Sequence, residues 1–507
     1  MSRVWKAFCF SVLGVGLAAA GCAPETFPTP LEQAVGDSLT SHDAMMGFLE
    51  NLHEKTGAFT LDTVGASVQG RSLVLLRFSD PDRGSAAEEE KIKVFMYAQQ
   101  HGDEPSGKEA AIALARDIAT GEFTDFLETV DLFLIPQVNP DGSEARQRRN
   151  ADDMDLNRDH LTLSTPEVRA VHSVFNEHLP EVTLDIHEYG FDGSAWVEAG
   201  MYKNFGQQIG ALSNANMSLG LRRYAWDRVI PTMRDRLAPQ DVYLARYLVV
   251  GDPSERFRYS TAALNDGRNS MGIYNSLSFL IEGRNGLTVE DDIRERTRQQ
   301  LATMKAFATF FSENAAEVKA LVEAERASLM GDQASPEVAL VMDYVRDPER
   351  PTVTVGVVDV ETGAEETRTF ENFFSEVKAT LSVRRPLGYA IPADRTDVLG
   401  VLARHGIQAR PIDQPLPAAV ESYQVLATRE ARKEDKEFLE VEVAMTRGEV
   451  VLPTGAVIVW CDQIQSNLIV SLLEPQSQWG LAPLPGFRSL LEVGSIYPIL
   501  RIMEVGD

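Results

Sequence analysis

The stretch Lys91-Ile92-Lys93-Val94-Phe95-Met96-Tyr97-Ala98-Gln99-Gln100-His101-Gly102-Asp103-Glu104 decides how this chain is read. Its first half is a short apolar run and reads as a buried strand. Just past Glu104, Ser106-Gly107-Lys108-Glu109-Ala110-Ala111 reads as the opening of a helix. A histidine and a carboxylate three residues apart at a strand-to-helix turn can both reach one metal ion. A third donor, His187, follows a second strand candidate, Val182-Thr183-Leu184-Asp185-Ile186. Two imidazoles and one carboxylate form the donor set of a catalytic zinc with one coordination position open.

Working outward, strand candidates fall at 72–79, 91–99, 130–138, 181–187 and 276–283. Helix candidates fall between them, at 43–55, 106–120, 165–178 and 204–218. This alternation predicts an α/β fold with a mixed, largely parallel central sheet and helices on both faces. Ligands in such sheets gather at the carboxyl ends of strands. His101, His187 and Glu282 all follow or end strand candidates in that way. A charged helical segment runs from about 288 to 327. Its Leu301, Met304, Phe307, Phe310 and Phe311 recur at helical spacing and are expected to pack on the body, not to hold a cofactor. After residue 335 Gly and Pro punctuate often and β-branched runs dominate, which predicts a β-rich accessory domain over 336–507 with one helix at 394–405.

At 507 residues the chain exceeds one ordinary core, so two or more domains are expected. Hydrophobic residues at 44% and charged residues at 24% place it among folded globular proteins. A net charge of -27 argues against nucleic acid as a partner. Arg3 and Lys6 followed by the apolar run Ala7 to Ala20 form a targeting segment too short to span a bilayer comfortably. Leu17-Ala18-Ala19-Ala20-Gly21-Cys22 resembles a bacterial lipoprotein signal, with 1–21 removed and a lipid on Cys22 as the membrane contact. The alternative is a plain secretory signal cut after a residue such as Ala20. Either reading places the protein outside the cytoplasm, at the cell envelope. Residues 22–39 read as a Pro/Thr-rich tether, and the catalytic domain as 40–330. Of the three cysteines only Cys461 lies in the folded body, so neither an intrachain disulfide nor a thiolate zinc site is available there.

The bare His-x-x-Glu pattern is weak, since His178-Leu179-Pro180-Glu181 matches it too, but at the end of a helix and before a strand. Context selects His101 and Glu104. The strand at 130–138 leads into the turn Asn139-Pro140-Asp141-Gly142, the basic cluster Arg146-Gln147-Arg148-Arg149 and then Asp155-Leu156-Asn157-Arg158. Over roughly residues 40 to 320 this ordered set, with His187 and Glu282 after it, resembles the zinc carboxypeptidase family, the carboxypeptidase A-like peptidases. The resemblance implies that His101, Glu104 and His187 bind one zinc ion. It implies that Asn157 and Arg158 dock the terminal carboxylate of a peptide, and that Glu282 is the general base and acid. The oxyanion-stabilising arginine is best matched by Arg148, with Arg146 and Arg149 as close rivals. A tyrosine covers the substrate in the family, and Tyr274 and Tyr259 are both candidates here. Arg268, in the loop before the strand of Glu282, is a further candidate for an anion contact. His42, His53, His160, His172 and His405 are expected to be structural.

The leading function is an exported zinc metallocarboxypeptidase that hydrolyses C-terminal peptide bonds. The alternatives are a zinc amidase acting on cell-wall peptides or acylated amino acids, and an inactive binding protein. Side-chain specificity, the physiological substrate and the oligomeric state are not encoded in any motif of the chain.

Overall fold

The computed structural model describes residues 27–36, 38–79, 91–331, 334–433 and 436–506. The leader, the lipidation signal and Cys22 lie outside the described residues.

The first part of the chain carries strands β1 (Thr60–Ala66), β2 (Ser72–Phe78), β3 (Ile92–Ala98), β4 (Val130–Ile135), β5 (Val182–Tyr189), β6 (Met201–Lys203), β7 (Gln207–Ala211), β8 (Leu244–Arg246), β9 (Leu248–Val249), β10 (Phe257–Tyr259) and β11 (Leu277–Arg284). Eight of them build one mixed sheet in the order β1-β2-β4-β3-β5-β11-β7-β8. The four at its centre, β4, β3, β5 and β11, are mutually parallel, and every residue of β4 and β5 is buried. Parallel strands covered on both faces need apolar residues on both, which is why these segments read as continuous runs and not as alternations. From β3 the chain passes through the helix Ser106–Ala119 to β4 on one side. From β4 it returns through Pro166–His178 to β5 on the other side of β3. Right-handed crossovers in opposite directions place those helices on opposite faces. The order reverses between β3 and β5, and such a switch point leaves a crevice at the carboxyl ends of the strands.

Two expected elements differ. The segment 204–218 is not a helix; it holds β7, antiparallel to β11. Gly206 and Gly210 weaken a helix there. A Cβ on Gly210 would lie 3.0 Å from Arg268 and 3.2 Å from Leu280, so close packing on β11 prevails. The segment 288–327 is two helices, Ile293–Glu313 and Ala315–Ala327, broken at Asn314, whose side chain turns back to donate to the Phe310 carbonyl at 2.7 Å. Part of the expected tether is folded as well. Pro30–Gln33 is a helical turn with a Thr29/Glu32 capping box, Leu31 is buried, and Glu32 pairs with Arg116 at 2.8 Å.

The remaining strands are β12 (Glu337–Val345), β13 (Val353–Asp359), β14 (Glu365–Phe370), β15 (Phe373–Phe374), β16 (Glu376–Arg384), β17 (Gly388–Ile391), β18 (Ala409–Pro411), β19 (Leu416–Lys433), β20 (Lys436–Leu452), β21 (Val457–Trp460) and β22 (Leu500–Val505). Antiparallel pairing dominates this β-rich region. It is stitched to the first part of the chain. β13 pairs with β6, and β15 pairs with β10. The Asn216 amide exchanges two 2.8 Å hydrogen bonds with the backbone of Ala339, in the manner of a strand partner. One apolar cluster contains Phe95 and Ile186 together with Leu340, Tyr389, Val398 and Leu402.

The helix Thr396–Arg404 is anchored by the histidines at its edge. His405 is fully buried; its Nε2 donates to the Leu161 carbonyl at 2.9 Å and its Nδ1 lies 3.2 Å from the Tyr274 hydroxyl. His172 packs edge-on to it at 5.5 Å and lies 2.9 Å from His160. Burial lowers the pKa of His405 to about 4 and holds His172 well below its ordinary value.

Two outcomes follow from this seam. Removing residues 336–507 leaves β6 unpaired, takes from β10 one of its two partners and exposes the shared cluster, so the truncated chain is expected to be insoluble or molten; a cooperative melt of 27–335 matching the full protein would refute it. The buried histidines bind protons more readily in the unfolded chain. Stability therefore rises with pH, and is lost as pH falls from about 6.5 toward 4. His405 alone accounts for about 3 kcal/mol of that loss, and urea melts of His405→Gln across this range should show a flatter profile.

Candidate metal centre and its cleft

The loop after β3 carries His101 and Glu104, and β5 carries His187 near its end. Parallel pairing sets Tyr97 against Asp185 and Ala98 against Ile186, which brings the exit of β3 level with His187. The loop is then fixed by backbone packing. A Cβ on Gly102 would lie 2.0 Å from the Gly142 carbonyl carbon, so only glycine lets this turn rest on the helix Pro140–Ala145. Asn139 caps that helix by accepting from Gly142 N at 2.8 Å, and its amide donates to the carbonyls of Gln100 and Arg148. The Asn-Pro-Asp-Gly turn thus ties the metal loop to the basic loop.

The donor atoms of His101, Glu104 and His187 all lie within 4.8 Å of one another, and all three residues are buried. The two Nδ1 atoms are 3.2 Å apart; Glu104 Oε1 is 2.8 Å from His101 Nδ1, and Oε2 is 3.0 Å from His187 Nδ1. Ligands 2.0–2.1 Å from a tetrahedral zinc are separated by about 3.3 Å, so the donor set fits that ion. The opposite ring nitrogens are held by carboxylates: His101 Nε2 lies 3.1 Å from Asp155 Oδ1, and His187 Nε2 lies 2.9 Å from Asp185 Oδ1. Such partners fix ring orientation and leave Nδ1 for the metal. Asp185 is braced in turn by Gln100, whose amide donates to both its oxygens and whose carbonyl faces His160 Nε2 at 2.7 Å.

The electrostatics follow from this crowding. Burial works against the charged forms, but Glu104 and Asp155 raise the pKa of His101, and Asp185 and Glu104 raise that of His187 well above the ordinary value. Burial likewise opposes ionisation of Glu104, yet His101 and His187 hold it well below the carboxylate range.

A cleft of about 250 Å³ opens over these groups. Glu282 lines it from β11, directly beside His187 in the parallel register. Burial pushes its carboxyl up to about 7, assisted by Glu104 and opposed by His187, His101 and Arg148. Arg148 lines the cleft, with Nε 3.1 Å from Asp155 and Nη1 3.3 Å from Glu104. Its two rivals turn elsewhere: Arg146 pairs with Glu290, and Arg149 donates to the Asp153 carbonyl. Arg158 is an exposed residue of the cleft lining and donates to the Asn157 carbonyl at 2.7 Å. The Asn157 side chain is committed to the scaffold, with Nδ2 3.1 Å from His187 Nε2 and Oδ1 accepting from Gly267 N at 2.9 Å. Arg268 is buried against the cleft, bonded to Ser260, the Thr261 carbonyl and Asp266.

The tyrosines are a correction. Tyr274 is fully buried and bonds His405, away from the cleft. Tyr259 lines a different cavity. The cleft instead contains Tyr247, half-buried at the end of β8, which the sequence reading missed. The only local signal is the short β-rich run Tyr243 to Val250, whose sheet partner β7 lies in the segment 204–218 expected to be helical. Burial and then Glu282 raise the pKa of Tyr247, so its hydroxyl stays protonated and available as a donor.

Residues 45–190 match the zinc carboxypeptidase family, Peptidase_M14. The chain is 23% identical over 488 residues to Carboxypeptidase 2 of Trichophyton tonsurans, a match covering 91% of this chain and 86% of that protein. It is 31% identical over 160 residues to Carboxypeptidase SOL1 of Arabidopsis thaliana, covering 28% of this chain and 32% of that one. Among solved structures, a metallo-carboxypeptidase from Pseudomonas aeruginosa in complex with (2-guanidinoethylmercapto)succinic acid is 22% identical, with a TM-score of 0.39 over 53% of this chain and 69% of that chain. The family match contains all three metal-ligand candidates and ends before Glu282. The fungal match is too long to stop at residue 336 and extends into the β-rich region.

Replacing Gly102 by alanine should force the metal loop off the Pro140–Ala145 helix. We expect a loss of about 3 kcal/mol of stability and at least tenfold weaker zinc retention in chelator competition. Unchanged retention would mean that the loop does not depend on this contact.

Proposed function

We propose that this chain, a zinc metallocarboxypeptidase of the zinc carboxypeptidase family, acts outside the cytoplasm and removes residues from peptide C-termini with Glu282 as its general base and acid. The observation that carries the mechanism is the pairing of Glu282 with His187 across β11 and β5. It sets a carboxyl group with a pKa raised to about 7 beside the metal-binding histidine.

Zinc held by His101, Glu104 and His187 supplies Lewis acidity toward a water molecule and the scissile carbonyl. Glu282 takes the proton of the attacking water and returns it to the leaving amine. Burial raises the Glu282 pKa and a bound divalent cation would draw it back toward the ionised form, and this balance suits a group that takes the proton and returns it. Arg148 offers its guanidinium to the oxyanion, as a cation already in place where the charge develops. Asp155 holds Arg148 in place through its Nε. Arg158, at the open side, offers a planar pair of donors to the terminal carboxylate of the peptide. Asn157 positions this arginine and His187 at once. Tyr247 donates its hydroxyl to the bound substrate. Arg268 stands at the buried end of the cleft as a further anion contact, with Asp266 limiting its net charge. Export rests on the leader read in residues 1–21, and attachment to a membrane on a lipid at Cys22; both lie in the sequence alone.

Glu282→Gln tests the reading. The amide keeps the shape and loses the base, so kcat should fall by a factor on the order of 10³, with zinc content still near one per chain. Product mass spectrometry on a mixed peptide library should show loss of single C-terminal residues, abolished by a chelator and restored by zinc. Activity of the variant within tenfold of the parent would remove Glu282 from the mechanism. Cleavage of amide bonds lacking a neighbouring free carboxylate would replace the peptidase reading with the amidase one.

A further inference from the structure

Behind one wall of the catalytic cleft lies a second cavity, of about 460 Å³. The partition is β8 with the stretch 259–261. Tyr247 and Thr261 line the cleft, whereas Arg246 and Tyr259 line the cavity behind it. The successive residues Arg246 and Tyr247 point to opposite sides, and Ser260, at a φ of 64°, breaks the extended chain between Tyr259 and Thr261, so one wall serves both spaces. The cavity also lies on the seam between the two parts of the chain. Arg222 and Trp226 face it from the first part, Tyr344 and Ser375 from the second.

Its chemistry is one-sided. The Arg246 guanidinium sits in a wedge between Trp226 and Tyr259, with its central carbon 3.8 Å from each ring centroid. A π-helical turn, Ala225–Val229, presents Trp226 there; such turns are rare and are found most often at functional sites. Stacking occupies the faces of a guanidinium and leaves its N–H edge for an in-plane acceptor. Three buried polar atoms of lining residues lack any hydrogen-bond partner: Arg222 Nε, Arg246 Nε and Ser375 Oγ. All three can donate. Among the described residues, Arg222, Arg223 and Arg246 form no salt bridge. The other charged groups of the lining are largely spoken for: Arg350 pairs with Asp347 at 2.7 Å, and Glu376 pairs with Lys378 at 3.0 Å. Asp227 is the one carboxylate left against three arginines. Carboxylates are not scarce in this chain, which has 75 acidic and 48 basic side chains. Burial lowers the pKa of Arg222 and of Arg246, a cost that a bound anion would offset.

We propose that this cavity binds a polyvalent oxyanion, carrying phosphate or carboxylate groups, which bridges the catalytic body and the β-rich region. Arg246 and Arg222 donate to it from one side and Ser375 from the other, with Arg223 at the exposed mouth. The cavity exceeds the volume of a bare tetrahedral anion, and the edges of Trp226 and Tyr344 offer contact to an organic body. A ligand that grips both sides of the seam stabilises the folded chain by mass action.

The test uses the zinc-loaded full-length protein. Thermal unfolding and titration calorimetry are run with inorganic phosphate, with citrate, and with chloride at matched ionic strength. A saturable rise in Tm with phosphate or citrate, absent with chloride, is expected. Phosphate alone would identify the phosphate group as the ligand's anchor, and citrate alone the carboxylate. Arg246→Gln and Arg222→Gln should each weaken binding tenfold or more while leaving peptide hydrolysis without added anion unchanged. Should Arg246→Gln fail to fold, Arg222→Gln and the exposed Arg223→Gln carry the comparison. The proposal is overturned if neither anion gives a saturable shift. It is equally overturned if the variants bind as tightly as the parent, which would place the anion elsewhere, at the zinc for instance.

Discussion

The parallel pairing of β3 with β5 is the constraint on which everything else rests. It sets the exit of one strand beside the end of the other, and so delivers two imidazoles and a carboxylate from distant parts of the sequence to one point. A slip of one residue would turn Asp185 and His187 to the opposite face of the sheet, because side chains alternate along a strand. The register is guarded by the burial of both strands on both faces, complete in β5 and broken in β3 only at Lys93. The crossover loops add a second lock. Gly102 rests backbone-on-backbone against Gly142, and Asn139 bonds to both loops that border the metal donors. Precision at the site is therefore a property of rigid elements, and only the last few residues of each loop remain to be fixed by hydrogen bonds.

Around that point the chain gathers charge of both signs in a low-dielectric space. Three carboxylates near the metal donors have assigned partners: Asp155 holds His101 and Arg148, Asp185 holds His187 and Gln100, and Glu188 binds Arg296 and the Ser106 backbone. Among the described residues no salt bridge or hydrogen bond claims Glu282, and burial pushes its carboxyl up to about 7. That sets Glu282 apart from the paired carboxylates of the same cleft. A divalent cation bound by the three donors would pull the Glu282 pKa downward, toward the ionised form a base requires.

Much of this was legible in the chain, for identifiable reasons. Buried parallel strands leave continuous apolar runs, so β2 to β5 and β11 stood out, and motifs placed at their ends inherited a position. Arg148, Arg146 and Arg149 could not be separated by spacing; the partners Asp155, Glu290 and Asp153 separate them, and those are tertiary contacts. Tyr274 was attractive because it is near Glu282 in sequence, yet the helix Gly267–Gly272 turns the chain so that this side chain faces His405. Tyr247 was invisible because it directly follows a three-residue edge strand, β8, whose existence depends on β7, itself read as helical. His160, His172 and His405 were expected to be structural. Their part in bracing Asp185 through Gln100, and in fastening the later chain, follows from contacts separated by up to 244 residues.

The β-rich region bears on catalysis through the wall it helps to build. β10 is the short strand that leads into Ser260 and Thr261, and these residues hold Arg268 at the buried end of the cleft. A strand of three residues has little stability of its own. β10 is held between β9 and β15, and β15 comes from beyond residue 370. The Tyr344 hydroxyl donates to the Tyr259 carbonyl at the same place. The shape of the cleft's far wall is therefore set by residues more than a hundred positions after the metal donors. The cleft's far wall is thus a product of the seam, whereas the metal-donor geometry belongs to the sheet.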